Sequence, residues 1–241
     1  MARARGRRQR LRARVAVLLG LLLVLTACPA PPSEDGASSP SRNEGSAGGP
    51  TGDGAGPGRQ QLTIAVVGDS ITVGSDPTFA PGQVSEDSWV RYAVGDPVEL
   101  TGGWARWGAT TAEMAAAVEP VPADVLVIMA GTNDLAAGTP TAQVAQNLED
   151  IVATVGAQDV LLCAVPPLDA RPDVVPPFNE FLERTAEDRG WAWVDPAAEI
   201  RSEGHFAPGM SVDGVHPTQA GATQLGVHVR SELLSGFGHS G

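Results

Sequence analysis

The sequence predicts an α/β fold, a three-layer α/β/α sandwich around a flavodoxin-like, mostly parallel sheet of five strands. The first observation is a series of short, continuous apolar runs, which suit strands buried on both faces of a parallel sheet. The second is that helical patterns lie between these runs, as in a doubly wound sheet. In such sheets, ligands bind at the carboxyl ends of the strands.

Five apolar runs are the predicted strands. In chain order they cover residues 62–67, 98–100, 124–129, 159–165 and 191–194. The first and the third run end directly before polar motifs. Because the carboxyl ends of parallel strands share one edge of a sheet, we expect these motifs to lie close together.

Four helices are predicted between and after these strands. Residues 111–118 are rich in alanine, and Thr139 is expected to cap a second helix that Pro140 starts. The third helix is expected to end at Gly190, since glycine is favoured just past a helix C-terminus. Apolar side chains on one face mark the last three helices. These are Val144, Leu148, Ile151 and Val155, then Phe178, Phe181 and Leu182, then Leu225, Val229 and Leu233.

Residues 1–27 have the composition of a secretory signal peptide. Seven arginines precede an apolar run from Val15 to Ala27, which is shorter than the ~20 residues that span a bilayer. The ending Leu25-Thr26-Ala27-Cys28 resembles the lipobox of bacterial lipoproteins. That resemblance implies cleavage before Cys28, its lipidation, and export to the outer face of the cytoplasmic membrane or the cell envelope. An ordinary signal peptide with an incidental Cys28 is the alternative.

The mature chain is predicted to have a tether, a folded domain and a tail. Residues 28–61 are rich in Gly, Pro and Ser, so we expect a disordered tether. The folded domain covers residues 62–235, and residues 236–241 form the tail. Removal of the signal leaves 9 Arg and no Lys against 28 Asp and Glu, a formal charge of −19. This charge disfavours nucleic acid partners and leaves the lipid anchor as the only membrane contact. We expect a soluble monomer.

The remaining cysteine and the histidines do not indicate a metal site. Cys163 lies in an apolar run and is expected to be a small buried side chain, with a catalytic role as the weaker alternative. The four histidines and Cys163 lack the spacing of metal ligands, so we predict no metal.

Two motifs supply a nucleophile and a base. Gly68-Asp69-Ser70-Ile71-Thr72 follows the first strand, so Ser70 is expected at an exposed strand-to-helix turn. Asp213-Gly214-Val215-His216-Pro217 precedes the last helix. Asp213 can hold one imidazole nitrogen of His216, which leaves the other nitrogen to take a serine proton. The Gly-Asp-Ser motif alone also fits a plain turn, and a lone histidine near a helix start is more often structural.

Two further motifs supply hydrogen-bond donors. Gly131-Thr132-Asn133-Asp134 follows the third strand, and the Asn133 amide is a suitable donor toward a developing oxyanion. Gly108 follows the second strand and lets its backbone N–H approach a ligand without an intervening side chain. Asp69 and Asp134 are expected to stabilise turns rather than to react.

Together these blocks resemble those of the SGNH hydrolases, the GDSL-type esterases and lipases, over about residues 62–234. The resemblance implies the strand order 2-1-3-4-5 and no cofactor. It also implies Ser70 as nucleophile, His216 as general base and then acid, and Asp213 as its orienting partner. The implied oxyanion hole consists of the Ser70 and Gly108 N–H groups and the Asn133 side chain. The family often has an Asn shortly before the second-block glycine, where this chain has Trp104-Ala105-Arg106-Trp107.

Other histidines compete for the role of base. His228 lies inside the last predicted helix, His239 lies in a Gly-rich tail, and His205 is expected in a loop that can line the pocket. His216 is preferred because its motif also contains the partner aspartate.

The chain also offers aromatic residues near the motifs. Trp89, Tyr92, Trp104 and Trp107 are candidates for a carbohydrate-binding wall, although burial in the core is the expectation for most of them. Residues 75–99, after the nucleophile, are expected to line the pocket.

The sequence therefore predicts a secreted, lipid-anchored serine esterase. Its partner would be a small-molecule or polysaccharide ester, with an acetyl or short acyl group on a carbohydrate or a lipid. The first alternative is an acyltransferase, in which a sugar alcohol replaces water at the acyl-enzyme. The second is a non-catalytic binding lipoprotein, which would be expected to lack one triad residue.

Overall fold

The computed structural model describes residues 61–238, which form one central sheet covered by helices on both faces. The predicted signal peptide, the predicted lipidation site Cys28, all of the predicted tether except Gln61, and His239 lie outside the described residues. The five strands of the sheet are β1 (Leu62–Gly68), β2 (Val98–Ala105), β3 (Val125–Met129), β4 (Asp159–Cys163) and β5 (Ala192–Val194). All neighbouring pairs are parallel, and the order is β2-β1-β3-β4-β5. The predicted strand order is confirmed.

Seven α-helices connect or follow these strands. They are α1 (Ser70–Val73), α2 (Val90–Ala93), α3 (Thr111–Ala117), α4 (Thr132–Ala137), α5 (Thr141–Val155), α6 (Val175–Arg189) and α7 (Gln219–Gly236). Successive side chains of β1 point to opposite faces of the sheet. Ile64 and Val66 join an apolar cluster with α2 and α7, whereas Ala65 and Val67 join one with α3, α5 and α6. This arrangement confirms the three-layer sandwich.

Several boundaries differ from the predicted ones. β2 continues to Ala105 because it is an edge strand and its second half is only partly buried, so it needs no continuous apolar run. β4 ends at Cys163 rather than at residue 165, because the Asn179 side chain hydrogen-bonds the backbone of Val165 in place of a strand partner. Asn179 Oδ1 accepts the Val165 N–H and Asn179 Nδ2 donates to the Val165 carbonyl, at 3.0 Å each. Asn179 is therefore a structural residue.

The start of α5 and a short hairpin also differ from the prediction. Pro140 is the N-cap residue and Thr141 begins the helix, so the expected Thr139 cap is wrong by one position. Two short antiparallel strands, β6 (Arg201–Ser202) and β7 (His205–Phe206), were not predicted. They are too short to show an alternating pattern.

The fold brings the polar motifs to one edge of the sheet. Ser70 follows β1, Gly108 follows β2 and Asn133 follows β3, so all three lie beyond the carboxyl ends of adjacent parallel strands. Within residues 61–238, no helix has both the length and the apolarity that crossing a membrane requires.

Candidate active site

A cleft of about 470 Å³ opens at this edge of the sheet, a size that suits a small ligand. Four of the sequence-predicted site residues line it, namely Ser70, Gly108, Asn133 and His216. The remaining lining residues are Ile71, Gly74, Ser75, Asp87, Trp107, Val215 and Pro217. Only Ser75 and Asp87 come from residues 75–99, so most of that segment does not line the cleft.

Ser70 is the first residue of α1 and sits on a sharp turn after β1. The preceding Asp69 caps this helix, because its carboxylate accepts the Ile71 N–H at 3.0 Å. As a first-turn residue, Ser70 has no acceptor for its own N–H within the helix. Within residues 61–238, the N–H groups of Ser70 and Gly108 make no hydrogen bond. Two free backbone donors therefore belong to residues that line the cleft.

A hydrogen-bonded chain connects Ser70 to residues far along the sequence. His216 Nε2 lies 3.0 Å from Ser70 Oγ, across a separation of 146 residues. His216 Nδ1 lies 2.8 Å from Asp213 Oδ2. Since a carboxylate only accepts, Nδ1 carries the proton and Nε2 is left as an acceptor for the serine hydroxyl.

The turn that carries Asp213 and His216 is held by its own backbone. Asp213 Oδ1 accepts the N–H groups of His216 at 2.8 Å and Val215 at 3.0 Å, so the carboxylate is fixed before it meets the ring. Gly214 adopts φ +81°, and a Cβ there would lie 2.7 Å from the Cβ of Asp169. Any larger residue at position 214 would displace the turn.

Asp213 is expected to remain ionised at neutral pH. Partial burial opposes its ionisation, but the N–H groups of His216 and Val215 and the His216 ring lower the pKa of the carboxyl below its usual value. The negative charge therefore persists beside the imidazole and can stabilise an imidazolium.

Asn133 is the second residue of α4, with its amide at the cleft. Its Nδ2 donates to the Ala109 carbonyl at 3.0 Å and to Asp69 Oδ2 at 3.3 Å. Both acceptors are oxygens, which fixes the orientation of the amide. An oxyanion in the cleft would compete with the longer of these two bonds.

Asp134 does more than stabilise its own turn. It is fully buried on α4 and accepts the Thr111 N–H and hydroxyl at 2.8 Å each, reaching 23 residues back along the chain. Asn147 donates to the same hydroxyl at 2.9 Å. Asn133 and Asp134 together therefore hold residues 109–111, the segment directly after Gly108. The sequence placed Asp134 beside Asn133 but could not indicate this partner.

Asp69 lies beneath the cleft and is almost completely buried. Burial raises the pKa of its carboxyl to about 6, although the Ile71 N–H and the His216 ring act in the opposite direction. Among charged neighbours, Asp134 adds to the increase. The protein therefore holds a carboxyl that changes charge in the mildly acidic range.

This carboxyl predicts a pH-dependent stability. Between the unfolded pKa of 3.8 and the folded pKa of about 6, the folded protein retains a proton that the unfolded chain has lost. Asp69 therefore stabilises the fold most at low pH, and about 3 kcal/mol is lost as the pH rises through 6. We expect Asp69→Asn to remove this loss, measured by urea unfolding at pH 4 and pH 8. Asp76→Asn, at an exposed position, is the control and should lose as much stability as wild type between pH 4 and pH 8. The assignment would be disproved if Asp69→Asn also lost as much stability as wild type over this range.

The competing histidines His205 and His228 and the cysteine Cys163 are not among the residues that line the cleft. His205 Nδ1 lies 3.8 Å from Asp169, and His228 hydrogen-bonds the Pro196 carbonyl at 3.1 Å. Cys163 is buried in β4, and burial strongly raises the pKa of its thiol. A buried, protonated thiol is a poor nucleophile.

The four candidate aromatic residues separate into two groups. Trp89 is fully buried, while Trp104 and Tyr92 are partly buried and do not line the cleft. Trp107 is 51% exposed and is the one that lines the cleft. No group of three or more His, Cys, Asp or Glu side chains within residues 61–238 is arranged to hold a metal ion.

A comparison with family models decides the family. Residues 66–224 match the GDSL-like lipase/acylhydrolase family. The chain belongs to this family. It is accordingly an ester-hydrolysing serine hydrolase, and the resemblance to SGNH hydrolases is confirmed. No curated protein matches the sequence significantly.

Solved structures of GDSL proteins share the fold. A lipolytic G-D-S-L protein from Veillonella parvula is 21% identical, with a TM-score of 0.54 over 73% of this chain and 97% of its own. A putative one from Desulfitobacterium hafniense is 18% identical, with a TM-score of 0.57 over 71% and 99%. A lipase/acylhydrolase from Enterococcus faecalis is 20% identical, with a TM-score of 0.56 over 73% and 96%. At these identities the likeness concerns the fold alone.

Proposed function

We propose that this GDSL-family hydrolase cleaves carboxylic esters through a triad of Ser70, His216 and Asp213. The observation that carries the proposal is the chain of two short hydrogen bonds, 3.0 Å from Ser70 Oγ to His216 Nε2 and 2.8 Å from Nδ1 to Asp213. Acyl transfer requires a nucleophile, a base within hydrogen-bond reach of it, and a third group that orients the base.

The reaction proceeds in two halves. His216 Nε2 takes the Ser70 hydroxyl proton while Oγ bonds to the ester carbonyl carbon. The tetrahedral intermediate then expels the alcohol, which takes that proton from His216. In the second half, water gives a proton to His216 and attacks the acyl carbon, and Ser70 leaves with the proton returned. One ester and one water yield one acid and one alcohol, and Asp213 stabilises the imidazolium formed in both halves.

Three donors stabilise the oxyanion in this proposal. The free N–H groups of Ser70 and Gly108 are available without breaking any hydrogen bond within residues 61–238. The Asn133 amide supplies the third donor when it exchanges its 3.3 Å bond to Asp69. Removing one such donor costs on the order of 10²- to 10³-fold in turnover.

We also propose that the enzyme acts outside the cytoplasmic membrane. The basic, apolar N-terminal segment and the Leu-Thr-Ala-Cys28 ending support export and lipidation of Cys28. The Gly/Pro/Ser-rich residues 28–61 would then tether a monomeric domain to the membrane surface. Metabolic labelling with a radioactive fatty acid tests this, and label retained after Cys28→Ala would disprove it.

The test of activity is hydrolysis of p-nitrophenyl acetate, butyrate and octanoate by the purified protein. We expect hydrolysis of at least the acetate, and we expect diisopropyl fluorophosphate to stop it by modifying Ser70. Tryptic mass spectrometry then locates the modification. Label on another residue would overturn the triad. Release of free acid in step with nitrophenol distinguishes hydrolysis from acyl transfer. If no tested ester forms an acyl-enzyme, the result would indicate a binding protein.

A further inference from the structure

Part of the cleft wall is not used by the proposed chemistry. Ser75, Asp87 and Trp107 line the same cleft as Ser70, and within residues 61–238 none of them hydrogen-bonds to a triad residue. A charged group beside a reactive serine lowers the affinity for ligands that cannot pair with it. This part of the wall is therefore expected to influence which esters the cleft binds.

The two oxygens of Asp87 have different surroundings. Oδ1 accepts the Ser75 N–H at 2.9 Å, the Ser75 hydroxyl at 3.0 Å and the Ser85 hydroxyl. Within residues 61–238, Oδ2 accepts no hydrogen bond. The carboxylate is thus fixed through one oxygen while the other keeps its full capacity as an acceptor.

The wall around Asp87 is closely packed. Gly74 has φ +75°, and a Cβ there would lie 2.5 Å from Asp87 Oδ1, so only glycine allows this approach. The Gly74 carbonyl in turn accepts the Trp107 indole N–H at 2.7 Å. With its one polar atom engaged, the half-exposed indole presents only apolar surface to the cleft.

The charge of Asp87 persists at the pH of most environments. Partial burial opposes ionisation, but the hydrogen bonds from the Ser85 hydroxyl and from the N–H and hydroxyl of Ser75 lower the pKa of the carboxyl. A phosphate or a carboxylate on the substrate would be repelled, and an alkyl chain would remove water from an ion without replacing its hydrogen bonds. Both arguments disfavour phospholipids and long acyl chains at this position.

We propose that Asp87 and Trp107 form a subsite for the hydroxyl groups of an acylated sugar or polyol. Hydroxyl groups donate to Oδ2, and the C–H face of a sugar ring packs on the indole. Hydroxyl groups of natural esters lie mainly on the alcohol, so the subsite binds the alcohol portion. A quaternary ammonium group also suits an aromatic face, but it has no hydrogen to donate to Oδ2. The inference rests on the proposed esterase activity.

Matched acetate esters test the subsite. 6-O-acetylglucose and cyclohexylmethyl acetate share the acyl group and a six-membered ring, but only the former carries hydroxyl groups. We expect wild type to prefer the sugar ester in kcat/KM. Asp87→Asn keeps an acceptor for Ser75 and Ser85 and turns the free acceptor into a donor, so we expect the preference to fall about tenfold or more. Trp107→Ala, at an exposed position, is expected to reduce it severalfold.

A second aspartate provides the control. Asp76→Asn removes the same charge from the same loop at an exposed position outside the cleft lining, and it should leave the preference unchanged. An unaltered preference in Asp87→Asn would overturn the subsite. So would a wild-type enzyme that prefers cyclohexylmethyl acetate or acetylcholine to the sugar ester.

Binding gives a readout that does not need turnover. In Ser70→Ala protein we expect calorimetry to detect 6-O-acetylglucose, with a Kd about tenfold weaker when Asp87→Asn is added. Sugar binding without cleavage of p-nitrophenyl acetate by wild type would overturn the proposed activity alone. Cleavage of p-nitrophenyl acetate without sugar binding would overturn the subsite alone.

Discussion

Replacement of Ser70 by alanine is expected to lower kcat for p-nitrophenyl acetate by about 10⁵- to 10⁶-fold, the range typical of a nucleophile in a serine triad. Without Oγ no acyl-enzyme forms, and His216 can only assist direct attack by water. The residual rate would come from the oxyanion donors and substrate binding. Stopped-flow and steady-state release of nitrophenol measure the effect, and the initial burst should disappear.

The loss should not reflect unfolding. Ser70 Oγ has His216 as its hydrogen-bond partner within residues 61–238, so its removal leaves no buried group unpaired. We expect the free energy of unfolding to change by about 0.5 kcal/mol or less. Ser235→Ala, an exposed position on α7, is the matched serine control and should retain full activity. Substantial turnover in purified Ser70→Ala would disprove the assigned nucleophile.

His216→Gln is expected to cost nearly as much as Ser70→Ala, because a glutamine amide cannot take the serine proton. Ser70 and His216 act as one unit across the 3.0 Å contact. The double variant Ser70→Ala/His216→Gln should therefore be about as slow as either single variant. Single and double variants are compared by kcat for the same acetate ester.

Another histidine provides the control for this prediction. His228→Gln changes a partly buried ring that bonds the Pro196 carbonyl outside the cleft lining, so its effect should fall on stability. Two results would contradict the triad. One is a double variant whose loss equals the product of the single losses, since that describes independent residues. The other is an equal loss of activity in His228→Gln.

The sequence predicted the fold well because its central strands are buried on both faces. Because the apolar runs of β1, β3 and β4 are short and continuous, a buried strand is the structure that they favour. The prediction was weaker where tertiary contacts decide the boundary. β2 is half-exposed at the sheet edge, and β4 ends where a side chain of α6 replaces a strand partner. Neither effect leaves a local signal in the sequence.

Within the site, the sequence indicated the side chains of the proposed triad but few of their supporting contacts. Ser70 and the pair Asp213 and His216 follow from short motifs, and the geometry now joins them across 146 residues. The link from Asp134 to Thr111 and the wall formed by Asp87 depend on side chains meeting across loops. Such contacts have no fixed spacing, so a single sequence does not reveal them.

The short turn from Asp213 to His216 limits the ways in which this site can lose its alignment. The carboxylate and the imidazole are attached three residues apart on one small loop, and the same carboxylate also bonds that loop's own N–H groups. We therefore expect thermal motion to displace the Asp213 carboxylate and the His216 imidazole together. The position of this loop relative to the end of β1 would then set the geometry of the proposed proton transfer. We then expect inactivation by heat to follow the separation of the Asp213–His216 loop from Ser70, rather than independent displacements of the three side chains.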